Sequence, residues 1–164
     1  MAADDPARWG EFGVALVGAA AALAGLTFVA ISINLREIMA GTGLVSRAAE
    51  GVITLMLALV ACALLLVPDQ GAVALGIEWV VLAIAYATAV LRSHVRAARL
   101  GIVSGAVLGV RVGLHQAAAI LWLIAGIATV NQLPGGLYWV VPAALWTIAV
   151  GVSDAWVLLI EILR

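Results

Sequence analysis

The chain has 164 residues, 66% of them hydrophobic and only 10% charged, with a formal net charge of −1. A mean hydropathy of +1.22 excludes a water-soluble globular domain, because so few charges cannot solvate a surface of that size. The charge balance holds no basic surplus for nucleic acid, so the expected partner is the lipid bilayer and no nucleic-acid partner is expected.

All eight basic residues are Arg, a usage that reflects a GC-rich bacterial genome rather than a physical constraint. The single cysteine, Cys62, lies in an apolar run and has no partner for an intrachain disulfide. The residues before the first apolar run include Asp4, Asp5, Arg8 and Glu11, which is not the positively charged start of a cleavable signal.

A membrane-crossing helix needs roughly 20 apolar residues. Five stretches qualify, which predicts an all-α polytopic bundle, one membrane domain over 1–164. The first span, 12–35, carries overlapping small-xxx-small patterns around Gly18 and Gly25, the signature of a packed helix in lipid. Asn34, Arg36 and Glu37 mark its exit, and Ser46 is the expected N-cap of the next helix. The second span, 51–67, is short and extends into 46–50 at the interface. Pro68-Asp-Gln-Gly71 is a turn, since Pro fixes φ and Gly accepts a positive φ.

The third span, 72–91, has Glu78 and Trp79 one to two turns inside its start. A basic cytoplasmic segment, 92–111, follows, with Arg92, His94, Arg96 and Arg99 at or beyond the membrane surface. Within it Gly101, Gly105 and Gly109, continued by Gly113, recur every four residues and leave one helix face without side chains. Internal packing is the first use expected of that face, and docking of a partner subunit the second. The fourth span is 112–130; with the glycine ladder the helical run measures about 43 Å at 1.5 Å per residue, longer than a core of roughly 30 Å. Residues 131–136 form a tight turn. The fifth span, 137–160, tolerates Pro142 only if the helix begins just before it, and Glu161 and Arg164 mark its end.

Five spans place the termini on opposite sides, and the arginines decide which is which. With the N-terminus outside, the outer segments hold Arg8, and the inner ones hold Arg36, Arg47, Arg92, Arg96, Arg99, Arg111 and Arg164. The expected topology is therefore N-terminus out and C-terminus in, in a bacterial inner membrane. Trp9, Phe12, Trp79, Tyr138 and Trp139 then fall at outer ends as an interfacial belt.

The last two spans form a hairpin about Pro134, which sets His115 level with Ser153 and Asp154 and places Arg111 one turn nearer the cytoplasm. Ser32 and Asn34 on the first span and Glu50 and Thr54 on the second belong to the same half. A charge at such depth costs on the order of 2.5–3.5 kcal/mol at the helix centre. Asp154 must then face the interior and find a donor among Arg111, His115 and Asn34. These four residues are the predicted polar layer. Its first reading is structural glue between helices; its second is a proton or ion path with Asp154 and His115 as exchangeable sites. A third, His94 and His115 as haem ligands, suffers from their different depths. His94, among arginines, reads more simply as a solvated surface residue, and Glu78 as a water-reaching carboxylate.

No Gly-x-Ser-x-Gly, His-Glu-x-x-His, Cys-x-x-Cys or Walker pattern is present, so no enzyme, metal site or cofactor is expected. The leading expectation is a non-enzymatic oligomeric scaffold or regulator of other membrane proteins; the alternative is an ion or proton channel or transporter. Small-residue faces make a homo-oligomer, and a membrane-protein partner, the expected assemblies.

The segments 25–38 (GLTFVAISINLREI), 64–70 (LLLVPDQ) and 154–164 (DAWVLLIEILR) resemble a family of small bacterial polytopic proteins labelled modulator of FtsH protease. The resemblance implies a cytoplasmic-membrane regulator and assigns no catalytic or binding residue. That family more often has Asn where this chain has Asp154, which implies that a hydrogen-bonding group serves there.

Overall fold

The computed structural model describes residues 6–41, 43–101 and 105–162. Asp4, Asp5 and Arg164, which entered the charge reading, lie outside them, as do residues 102–104 of the glycine-ladder run. The described residues form six α-helices and no strand: α1 (Gly10–Ile33), α2 (Leu35–Ala40), α3 (Leu44–Ala63), α4 (Ala72–Arg99), α5 (Gly105–Val130) and α6 (Val140–Ile162). Short 3-10 turns at Pro6–Trp9, Leu64–Leu66 and Gly136–Trp139 join or extend them. All but α2 are long and apolar enough to cross a membrane, which fits a multi-pass membrane protein.

The ends of these helices have local causes. At the end of α1 the Asn34 side chain donates to the Ala30 carbonyl at 2.8 Å, and its backbone N–H does so at 3.2 Å. Asn34 is the shared cap between α1 and α2. Gly43, at φ 83°, is the N-cap of α3. Ser46, expected in that role, instead sits inside the first turn and donates to the Gly43 carbonyl at 2.9 Å. Pro142 lies in the first turn of α6, where its missing N–H breaks no intrahelical bond.

Residues 92–99 are helical and continuous with the third span, because α4 runs through Arg99, with Arg96 and Arg99 in its last turn beside the negative end of the helix dipole. One expectation about the middle of the chain is corrected: Gly101 is not on a helix face but takes φ +63° just past the C-terminus of α4, a left-handed cap that glycine adopts without strain. The helix carrying Arg111 and His115 begins at Gly105 and is unbroken to Val130.

In the packing, α4 pairs with α5, α3 packs against both α1 and α6, and α6 leans on α5. Half of the α3 span is buried, against 22% of α1, so α3 is central and α1 peripheral. The α4–α5 contact depends on Gly76 and Gly126. A Cβ on Gly76 would lie 2.7 Å from the Gly126 carbonyl oxygen, and one on Gly126 2.8 Å from that of Gly76. Close approach through glycine is the expected device in lipid, but it uses different glycines. A Cβ on Gly18, Gly25, Gly105, Gly109 or Gly113 would meet nothing within 4 Å. The predicted ladder faces outward, and internal packing is not its use.

The core at mid-bundle is built on Trp79 and Trp122, whose rings lie 5.6 Å apart and are both fully buried. Small residues such as Ala61, Ala83, Ala118, Ala125 and Ala143 surround them. Trp79 was expected in the interfacial belt; its indole N–H instead donates to the Ala61 carbonyl at 2.8 Å, which satisfies its one polar atom inside. Trp9 and Tyr138 do meet, edge to face at 5.1 Å. Their contact marks the end of the bundle opposite the arginine-rich helix ends.

Candidate functional site

Two to four turns from the tryptophans toward the arginine-rich end, α3, α4, α5 and α6 converge on a set of buried polar side chains. Helical spacing puts each pair on an inward face: Glu50 and Thr54 on α3, Tyr86 and His94 on α4, Arg111 and His115 on α5. Asp154 on α6 completes the set. It reaches α3 beside Gly51, where an added Cβ would lie 3.3 Å from the Asp154 Cβ. All seven are less than 9% exposed, with His94 and His115 at 1%.

Glu50 is the hub. Its Oε1 accepts from Ser93 at 2.5 Å and its Oε2 from Arg111 at 2.5 Å. His94 Nε2 lies 3.3 Å from the same Oε2 but out of hydrogen-bonding alignment, and neither nitrogen of that ring has a hydrogen-bond partner. His115 forms the second half. Its Nδ1 shares a hydrogen bond with the Tyr86 hydroxyl at 2.7 Å and lies 3.4 Å from Thr54 Oγ1. Its Nε2 is 3.3 Å from Asp154 Oδ2, a buried oxygen with no hydrogen-bond partner. The two imidazoles connect the halves, with ring centroids 5.4 Å apart. Thr54 donates to the Glu50 carbonyl at 2.7 Å and pairs with Tyr86 at 3.0 Å, so the groups form one network.

Charge counting shows what this network lacks. Glu50 and Asp154 oppose one guanidinium, Arg111. With both imidazoles neutral the cluster carries one uncompensated negative charge, costly in a buried, apolar setting. A proton on an imidazole, or another cation, cancels it. His115 also has a proton-dependent partner on each side. When Tyr86 donates to Nδ1, Nε2 carries the hydrogen toward Asp154. When Nδ1 is the donor, a bare Nε2 faces a carboxylate oxygen unless a cation lies between.

The cluster is approached from one end. A cleft of about 560 Å³ between α3 and α4 ends on Glu50 and Ser93, with Ser46, Ile53, Arg92 and Arg96 along its walls. In the opposite direction the bundle is filled by Leu55, Leu75, Trp79 and Trp122, all fully buried.

Of the four residues predicted to share a layer, the structure brings His115 and Asp154 together and puts Arg111 in the same cluster through Glu50. Asn34 is not there; its amide is spent on the end of α1. Arg111 pairs with Glu50 rather than Asp154. His94, expected in solvent, is inside. The signal for it was present, since His94 is in phase with Ala83, Tyr86, Val90 and Ala97, the buried stripe of α4; continuing the helix past residue 91 exposes that phase. Glu78 is half-buried near the far end and accepts from Gln70 at 2.6 Å.

No protein-family model, curated protein or solved structure matches this chain.

Proposed function

We propose that this chain is a small cation carrier of the bacterial inner membrane, moving a proton or metal ion through the Glu50–His94–Arg111–His115–Asp154 cluster without covalent chemistry. The observation that carries this reading is His94: a buried imidazole whose Nδ1 has no partner and whose Nε2 has only a 3.3 Å approach to Glu50, in a cluster of two carboxylates and one guanidinium. Structural polar contacts in membranes are retained because they are satisfied. Ionisable residues held inside a membrane bundle are functional-site candidates by default, ion and proton pathways among them. One-sided access through the α3–α4 cleft, with the tryptophan core closing the other side, favours a carrier over an open pore. With the N-terminus outside, as the arginine distribution favours, the cleft opens to the cytoplasm.

The test is flux into liposomes that hold a pH-sensitive dye, under an imposed gradient. The folded protein should pass protons, and Asp154→Asn and His94→Phe should each abolish most of the flux. Asp154→Asn keeps a hydrogen-bonding group without the charge, so full flux in that variant would return Asp154 to structural glue. Proton flux and Co²⁺ uptake that are both no faster than in protein-free vesicles overturn the carrier reading.

A second reading, a regulator that docks other membrane helices, is favoured by the unfilled faces at Gly18 and Gly25 on α1 and Gly105, Gly109 and Gly113 on α5. Cross-linking in native membranes should then recover a specific partner, and Gly109→Leu should remove it while leaving the monomer folded. Recovery that survives Gly109→Leu and the matching change at Gly25 argues against those faces.

A further inference from the structure

Resting on the carrier reading, we infer that the cluster is a binding site for a first-row transition-metal dication, with Glu50, His94 and His115 as its ligands. One donor atom from each of these residues lies within 4.8 Å of the other two. Glu50 Oε2 and His94 Nε2 are already 3.3 Å apart. Bonds of about 2.0–2.1 Å to a tetrahedral ion place its donors about 3.3–3.4 Å from one another, so that pair already has the required spacing and the third donor must close by at most about 1.5 Å.

The donor set also selects the class of ion. Two imidazoles and one carboxylate suit zinc, iron or cobalt dications better than magnesium or calcium, which demand oxygen. No thiolate competes, because Cys62 belongs to the tryptophan core. His94 is the second sign of a missing occupant: its Nδ1 has no partner and its Nε2 reaches Glu50 only at 3.3 Å without hydrogen-bond alignment, and such a buried ring is explained by an ion or water. His115 is prepared for ligation from either side, since the nitrogen that does not bind the ion keeps Tyr86 or Asp154 as its partner. Such outer partners fix ring orientation in metal sites.

Arg111 and Asp154 set the electrostatics. A dication added to two carboxylates and one guanidinium leaves one positive charge in excess. An open fourth position cancels that charge by holding a hydroxide, since metal-bound water loses its proton near neutral pH. Arg92 and Arg96 line the cleft; their charge opposes an approaching dication and slows loading.

The experiment is titration of the metal-free, full-length protein in detergent with Co²⁺, read by its visible ligand-field absorption, and with Zn²⁺ by competition. One ion per chain should bind, with the intense spectrum of a tetrahedral site. His94→Phe should weaken binding by more than the roughly 10–100-fold that loss of an outer partner of a ligand costs, with helical content and thermal unfolding as the check that the variant folds. Glu50→Gln together with Arg111→Met, which removes one ligand and the neighbouring charge as a pair, should also lose the site. Substoichiometric binding, an octahedral spectrum, or unchanged affinity in folded His94→Phe overturns the inference. Proton flux without metal binding retains the carrier reading and removes the metal. Tight metal binding without flux of any cation does the reverse.

Discussion

Around Trp79 and Trp122 the buried donors have found acceptors: Trp79 gives its indole proton to Ala61, Trp122 to Thr147, and Thr147 in turn to Ala143. Two to four turns along the same helices, His94, the Nε of Arg111 and Oδ2 of Asp154 are also buried and have no hydrogen-bond partner. Both layers are built from α3, α4, α5 and α6, so neither helix choice nor depth explains the contrast. The tryptophan layer is complete without help. The charged layer holds its side chains in place through Glu50, Tyr86 and Thr54 yet leaves nitrogens and an oxygen open. An unmet polar atom in a low-dielectric interior costs free energy; on the proposed reading, a transported cation offsets that cost.

The contrast can be broken hardest at Arg111. Arg111→Ala strips Glu50 of its buried counter-charge and should cost about 3–5 kcal/mol of stability. Reversible unfolding in mixed detergent would measure it, and adding Glu50→Gln should recover most of the loss. Gly76→Val is the next largest. It forces a branched side chain into the Gly126 backbone and should cost about 1–3 kcal/mol, with α4 and α5 separating in distance measurements between spin labels. Trp122→Phe tests the satisfied layer itself. It removes the donor to Thr147 and part of the packing, and about 0.5–1.5 kcal/mol should be lost.

His94→Phe gives the smallest and sharpest result. Because neither ring nitrogen is hydrogen-bonded, an apolar ring of similar size should change stability by less than about 1 kcal/mol, while flux is lost. A destabilisation as large as that of Arg111→Ala would mean that His94 is satisfied glue after all, and the two layers would then not differ.

Particular residues divide what was legible in the sequence from what was not. The interior position of Asp154 and its level with His115 follow from the α5–α6 turn and the rise per residue, since an antiparallel hairpin equates positions by counting. The cluster's centre, Glu50, was placed only in the right half of the bundle, and its pairing with Arg111 was not legible. Arg111 has Asp154 and Glu50 as neighbours at similar height, and only the rotation of each helix decides which it meets. Asn34 was assigned to the layer by depth alone, but an amide at a helix end satisfies a local carbonyl before it reaches a distant helix. The glycines failed for the same reason. Four-residue spacing identifies a bare face and does not say whether a neighbour covers it.

The sequence by itself determined that the chain is helical and apolar along five stretches, that turns fall at 68–71 and 131–136, and that Asp154 is too costly to leave in lipid. Those properties depend on composition and on the 3.6-residue period, both local. Only the tertiary structure decided that α4 runs on to Arg99 and carries His94 inward, that Gly76 and Gly126 rather than the ladder bring two backbones together, and that Glu50 collects Ser93, Arg111 and His94. Those outcomes depend on which face of each helix turns toward which neighbour, and that is set by packing across the bundle, not by residues near in sequence.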